Sequence, residues 1–303
     1  AAERINSLPE DELVYPPNKP NRKIYAGYWA ASRIGTSGMD GGWVVRIAVA
    51  YDLTCTAKEN ETPVYSEEER RLIEHDLLLE STYLAACDPS INNKSVGNRA
   101  GAAVVGMCVG HPGLVRFGLD GFQRTVEEWF LPDGGTSESP AYAMMTMGGV
   151  RCFALAFRDY SDPPGYAAPD GTRLDGFDAC RDTRYGDCWQ GLIWTLQGNL
   201  RFPPSADSYR TSRISSSFAE LIAVAYPSDE HIALLKEIAG KDLTTGSSRE
   251  AVFYREAGLE ERATPPLSLP DVVFPFLAQG YLRSGPTGRE SLAMLNASDY
   301  GGH

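Results

Sequence analysis

Between Met144 and Ser215 there is no lysine. Histidine is scarce, with four in 303 residues: His75, His111, His231 and His303. No pair of them has metal-ligand spacing, which leaves no basis for a zinc site. The six cysteines contain no CxxC, so zinc-ribbon and thioredoxin readings lack support. GxSxG, Walker A and HExxH are likewise absent, which removes the commonest serine-hydrolase, nucleotide-binding and metalloprotease signatures. "GTSGMDGG" (35–42) is rich in glycine but lacks the preceding strand that a phosphate loop needs. No apolar run approaches the roughly 20 residues that span a bilayer. The best, "AGAAVVGMCVG" (100–110), reads as a buried helix.

The sparse cysteines are not a disulfide framework. Cys180 and Cys188 share a polar loop and are close enough to pair. Cys55, Cys87, Cys108 and Cys152 lie in or beside apolar helical segments and read as buried thiols. The formal net charge is -12, which argues against a general nucleic-acid binder. A local arginine cluster can still hold an anion against that global field.

What the chain does have is helical patterning. With 43% hydrophobic and 22% charged residues it has the composition of an ordinary globular protein, long enough for a sizeable core. After a Pro-rich lead-in (1–23), helical segments are predicted over 23–34, 42–57, 66–87, 95–110, 113–131, 140–157, 188–199, 212–227, 229–241, 248–258 and 268–280. Ser66 with Glu69 three residues on reads as a capping box. Residues 158–188, rich in Asp, Arg, Gly, Pro and Tyr, form a long loop whose charge pairs argue for order. Few β-type alternations occur before residue 290, and no repeat has a fixed period. The class is therefore all-α, either an irregular bundle or an (α/α) toroid of antiparallel helix pairs. The ending "SLAMLNASD" reads as a strand just beginning, with the chain expected to be a piece of a longer one.

Four places carry candidate chemistry. Asn98, in "NNKSVGNRAGA", opens an apolar helix. It reads either as a helix cap or as an amide that hydrogen-bonds an oxyanion. In "DGGTSESPAY" (133–142), Glu138 and Tyr142 are four apart between two apolar helical segments. They read as a capping carboxylate with a half-buried phenol, or as functional side chains delivered by a loop. A helix beginning near Ser139-Pro140 puts Tyr142 in its first turn. The arginines Arg151, Arg158, Arg173, Arg181, Arg184, Arg201, Arg210 and Arg213 are matched by many Asp residues, so ion pairing competes with a grip on carboxylate or sulfate. Among the histidines, His75 and His231 read as bystanders on polar helical faces, and His111 precedes a proline in a turn.

An Asn at a helix start followed by "DGGTSESPAYA" resembles the heparinase II/III-like polysaccharide lyases. The likeness extends over most of residues 25–303, with Arg99 where a histidine is common in the family. It implies an incomplete (α/α) toroid over 24–288 and the start of a C-terminal β-sandwich over 289–303. The implied activity is β-elimination on a uronic-acid polysaccharide, without cofactor or metal. Asn98 would neutralise the uronate carboxylate. Tyr142 would act as acid and also as base, with His303 the other candidate base. Arg99, Glu138, Arg151 and Arg213 would contact or orient the substrate. The implied partner is an anionic polysaccharide rather than nucleic acid or membrane, and the implied location is periplasmic or extracellular. Two other readings stay open. A glycoside hydrolase on the same scaffold would need a second carboxylate with Glu138, from Asp133 or an Asp of residues 159–187. A non-catalytic carbohydrate-binding domain would need none.

Overall fold

The computed structural model describes residues 40–82, 91–240, 243, 248–285 and 288–298. The described residues are mostly helical and divide into two compact units. The first runs to Thr125 and includes Met145–Phe177; the second comprises Val126–Met144 and the chain from Asp178 onward.

In the first unit, α1 (Asp40–Asp52) leads to a short hairpin of β1 (Lys58–Glu59) and β2 (Thr62–Pro63). Asn60 and Glu61 both have positive φ, as a two-residue type I′ turn requires. Next come α2 (Glu67–Arg71), which continues as a π-helix over Leu72–Leu79, then α3 (Ser95–Val109) and α4 (Pro112–Arg124). The expected capping box is present: Ser66 Oγ accepts from the Glu69 N–H, and the Glu69 carboxylate accepts from the Ser66 N–H. His111 caps α4, its Nδ1 accepting from the Leu114 N–H, with Pro112 at the first helical position.

Small residues set the helix packing. A Cβ on Gly41 would sit 1.8 Å from the Gly97 carbonyl oxygen, and Ala48 O accepts from Cys108 Sγ, so α1 and α3 run parallel and nearly touch. The contacts Gly106–Val115, Ala103–Gly118 and Arg99–Gly121 run in opposite senses along α3 and α4, which makes that pair antiparallel. Phe122, Phe153 and Phe157 stack in series beside them, Phe153 lying on α6 (Phe153–Ala156). The loop from Arg158 to Phe177 is ordered around Asp162, whose buried carboxylate meets the Arg116 guanidinium and accepts from the Leu174 N–H.

Helix α5 (Pro140–Val150) has residues in both units. The second unit contains α7 (Tyr185–Trp194), α8 (Ser216–Ala225), α9 (Asp229–Ala239) and α10 (Arg249–Phe253). The three-residue connection between α8 and α9 makes them antiparallel neighbours. Helix α7 begins at Tyr185, three residues earlier than its apolar pattern suggests, and buries Trp189 against Phe218. Three expectations need correction. Residues 268–280 are not helical: β3 (Val272–Phe274) and β4 (Gln279–Ser284) form an antiparallel sheet with β5 (Ser291–Asn296). Pro275 cannot continue a helix through this stretch, and the apolar residues Phe274, Leu277 and Tyr281 form a sheet core with Leu131 and Trp194. Cys180 and Cys188 are not joined in a disulfide: Cys188 is fully buried on α7 with its Sγ toward the Arg184 carbonyl. His231 is buried rather than on a polar face, with Nδ1 2.6 Å from Tyr226 O and Nε2 3.3 Å from Gln190 Oε1. The lead-in, the 23–34 segment, Cys87 and His303 lie outside the described residues.

Candidate functional site

The segment 134–140 forms one wall of a cleft in the second unit, with a cavity volume of about 70 Å³. Asp133 holds that wall in place. Its Oδ1 accepts from the Gly135 N–H at 3.1 Å, and its Oδ2 accepts from the Phe276 and Leu277 N–H groups at 2.8 and 3.0 Å. One carboxylate thus makes the local turn and ties it to the β3–β4 connection. Gly134 has φ +78°, and a Cβ there would lie 2.3 Å from the Asp187 carbonyl oxygen. A side chain at Gly191 would strike the Gly134 carbonyl at the same distance. The two glycines therefore let the loop and α7 pass backbone to backbone.

Helix α5 starts where the sequence predicted, at Pro140. Ser139 Oγ accepts from the Tyr142 N–H, and Ser208 Oγ accepts from the Ala141 N–H, so two of the helix's orphan donors are satisfied by hydroxyls. Tyr142 is half-buried in the first turn and does not line the cleft, whereas Glu138 does.

The rest of the lining includes Leu192 of α7, Thr195 at its C-terminal cap, Ser205 and Ala206, and Gln279, Tyr281 and Asn296 of the sheet. Gln279 Nε2 donates to Asn296 Oδ1 at 3.2 Å, and the Tyr281 hydroxyl donates to Gln279 Oε1 at 2.8 Å. Burial pushes the Tyr281 phenol above its ordinary range, with the Arg283 cation opposing the shift, so it stays a neutral donor. Among the described residues, Glu138 is the one charged group lining a wall otherwise of hydroxyls, amides and a few apolar side chains. Such a surface suits a polyhydroxylated ligand.

The other predicted site residues are placed as follows. Arg213 is exposed in the second unit. Asn98, Arg99 and Arg151 belong to the first unit. Asn98 is the fourth residue of α3, so it is not the cap; it is 1% exposed, and neither amide atom has a hydrogen-bond partner among the described residues. Arg99 is buried too. It donates to Phe117 O at 2.9 Å and Asp120 Oδ2 at 3.3 Å and lies 3.8 Å over the Phe117 ring, which binds α3 to α4. Arg151 is half-buried. That Asp133 to Gly135 make the turn was legible in the sequence, Asp before Gly-Gly being a turn signal with a known side-chain acceptor, but the tie of the same carboxylate to the β3–β4 connection was not. Gln279 and Asn296 gave no signal, because they fall in a segment read as helix and in a strand with no partner then in view.

Among the described residues no group of His, Cys, Asp and Glu could hold a metal ion, and no helix is long and apolar enough to cross a membrane. A scan against protein-family models gives no match, and a search of curated proteins gives none either.

Proposed function

We propose that the protein is a polysaccharide lyase that cleaves a uronic-acid-containing chain by β-elimination. The observation that carries this reading is the fate of "DGGTSESPAY": the segment behind the family resemblance forms the wall of an open, hydroxyl-rich cleft and passes directly into the helix turn bearing Tyr142. On this reading the helices continue as antiparallel pairs in an incomplete (α/α) toroid, as α3–α4 and α8–α9 suggest.

The chemistry needs three things. Charge on the uronate carboxylate must be offset before the C5 proton is acidic enough to leave, a base must take that proton, and an acid must protonate O4 as the bond breaks. Asn98 is assigned the first task, with an arginine, and Tyr142 the proton transfers. Glu138 orients the sugar through its hydroxyls. Polysaccharide substrates of this kind place the protein outside the cytoplasm, in the periplasm or beyond.

Asp133 weakens the hydrolase alternative. Its carboxylate is committed to three backbone N–H groups, which leaves Glu138 without that catalytic partner in the cleft. One observation favours a non-catalytic carbohydrate-binding domain instead: the Asn98 amide is closed off from solvent. Turnover separates the two readings. A lyase gives new ultraviolet absorbance from the C4–C5 double bond on at least one uronic-acid polysaccharide, abolished in Tyr142→Phe. A binding domain retains sugar affinity in both proteins with no absorbance change.

A further inference from the structure

The loop between α7 and α8 carries three arginines with no ion pair among the described residues. Arg201 and Arg213 face each other across an isolated antiparallel bridge. Residues paired in this way project to the same face with Cβ atoms roughly 5 Å apart, and like charges so placed repel. Arg201 Nη1 also reaches the Arg210 carbonyl at 3.5 Å, which brings the third arginine's backbone to the same place. All three are exposed, in contrast to Arg184, Arg255 and Arg283 of the same unit, each set against a carboxylate. Tyr209, beside Arg210, is 75% exposed.

The backbone beneath them is fixed. Phe202 and Ile214 are fully buried, the Phe202 N–H donates to Ser212 O, and the Gln197 N–H donates to Arg201 O. Ser212 Oγ accepts from the Tyr209 N–H. The fold therefore holds the Arg201 and Arg213 positions side by side. The same loop supplies Ser205 and Ala206 to the cleft.

We propose that Arg201, Arg210 and Arg213, with Tyr209 as a stacking platform, form a binding patch outside the cleft for the acidic groups of a glycan chain. Arginine forks match carboxylate and sulfate geometry, and an exposed phenol ring packs against the apolar face of a sugar. A net charge of -12 opposes a long, densely charged nucleic acid far more than a spaced polyanion gripped at a few points. This inference rests on the carbohydrate reading of the cleft and extends it to a second contact.

The test measures binding, not turnover, with the full chain carrying Tyr142→Phe and the probes polygalacturonate, dextran sulfate, neutral dextran and oligo-dT. Binding of the first probe assigns the patch to carboxylates and of the second to sulfates. The triple change of Arg201, Arg210 and Arg213 to Gln should weaken the preferred glycan about tenfold or more at ~50 mM salt and flatten its salt dependence. Tyr209→Ala should cost roughly threefold without changing that salt dependence. Arg181→Gln, which removes an exposed arginine already paired with Asp182, should leave affinity unchanged. Equal affinity of parent and triple variant overturns the proposal, as does preference for oligo-dT or equal binding of neutral dextran. Glycan binding lost with the arginines, but with no double-bond formation by the unmutated protein, supports the patch and refutes the lyase.

Discussion

Removing the Asp133 carboxylate strands three backbone N–H groups at once, two of them on the β3–β4 connection. Charge-assisted bonds of this kind contribute about 1.5–3 kcal/mol each when the donors are left without solvent, less where they are partly exposed. Asp133→Ala should therefore destabilise the protein by about 2–3 kcal/mol in urea unfolding and reduce sugar affinity. Asp133→Asn, which keeps an acceptor, should recover part of both. Thiol chemistry gives a second residue-scale prediction. Burial pushes the Cys108 thiol up to about 12, with the nearby Asp52 carboxylate adding to the shift, and burial pushes Cys188 further in the same direction. Iodoacetamide at pH 8 should label both at least a hundredfold (order ~10²) more slowly than a free peptide cysteine, since reactivity follows the thiolate fraction. Peptide mapping reads the sites directly. Comparable labelling of Cys188 would contradict its buried position. Glu69 supplies a pH dependence. Hydrogen bonds from the Ser66 backbone N–H and hydroxyl hold its carboxyl below the usual value of 4.5. The capping contribution is then complete above about pH 4.5 and is lost as pH falls through the lower, folded value. Protection of the Ser66 amide, measured relative to its intrinsic exchange rate at each pH, should fall over that acidic window, and Glu69→Gln should remove most of the pH dependence.

At the scale of elements, Gly41 and Gly42 form a matched pair. A methyl group at Gly41 meets the backbone of Gly97 at 1.8 Å, while one at Gly42 meets nothing within 4 Å. Gly41→Ala should cost about 2–4 kcal/mol by forcing α1 off α3. Gly42→Ala should be neutral or stabilise by up to ~1 kcal/mol through helix propensity. Thermal unfolding of the two variants separates close helix packing from propensity. These elements also show what the sequence disclosed. Helices α3 and α4 were legible because fifteen and thirteen residues of regular pattern sit either side of a Gly-His-Pro break. The capping box at Ser66 was legible because both partners are local. The sheet was not, because β3 has three residues, β5 alternates only weakly, and the reason for β4 is a core of Phe274, Leu277 and Tyr281 shared with distant Leu131 and Trp194. A short apolar run with Pro275 inside it fits a strand better than a helix, but only its partners decide the matter. The buried pair Arg255–Glu220 was invisible for the same reason, its partners being 35 residues apart.

For the whole molecule, the sequence placed the start of α5 correctly but expected Tyr142 to face a cleft that it does not line, and gave no warning that Asn98 and Arg99 would be buried. Both stand at the start of a helix read as apolar, and every residue from Ser95 to Gly106 is buried, because small residues admit close neighbours on several sides. The consequence for function is specific. A lyase with these residues needs the Asn98 amide to reach a carboxylate, and the desolvation cost of a buried, unpartnered amide, about 1–3 kcal/mol, would be recovered when a ligand bonds it. Asn98→Ala would then raise stability or leave it unchanged while abolishing turnover. Asn98→Asp would be destabilising, because it places a charge in the same closed space.

The most direct measurement follows absorbance of the C4–C5 double bond while the protein and its Tyr142→Phe variant are mixed with a panel of uronic-acid polysaccharides. A lyase acting through Tyr142 gives a rise with at least one polymer and none from the variant. Reducing ends without absorbance, or a variant as active as its parent, would contradict it.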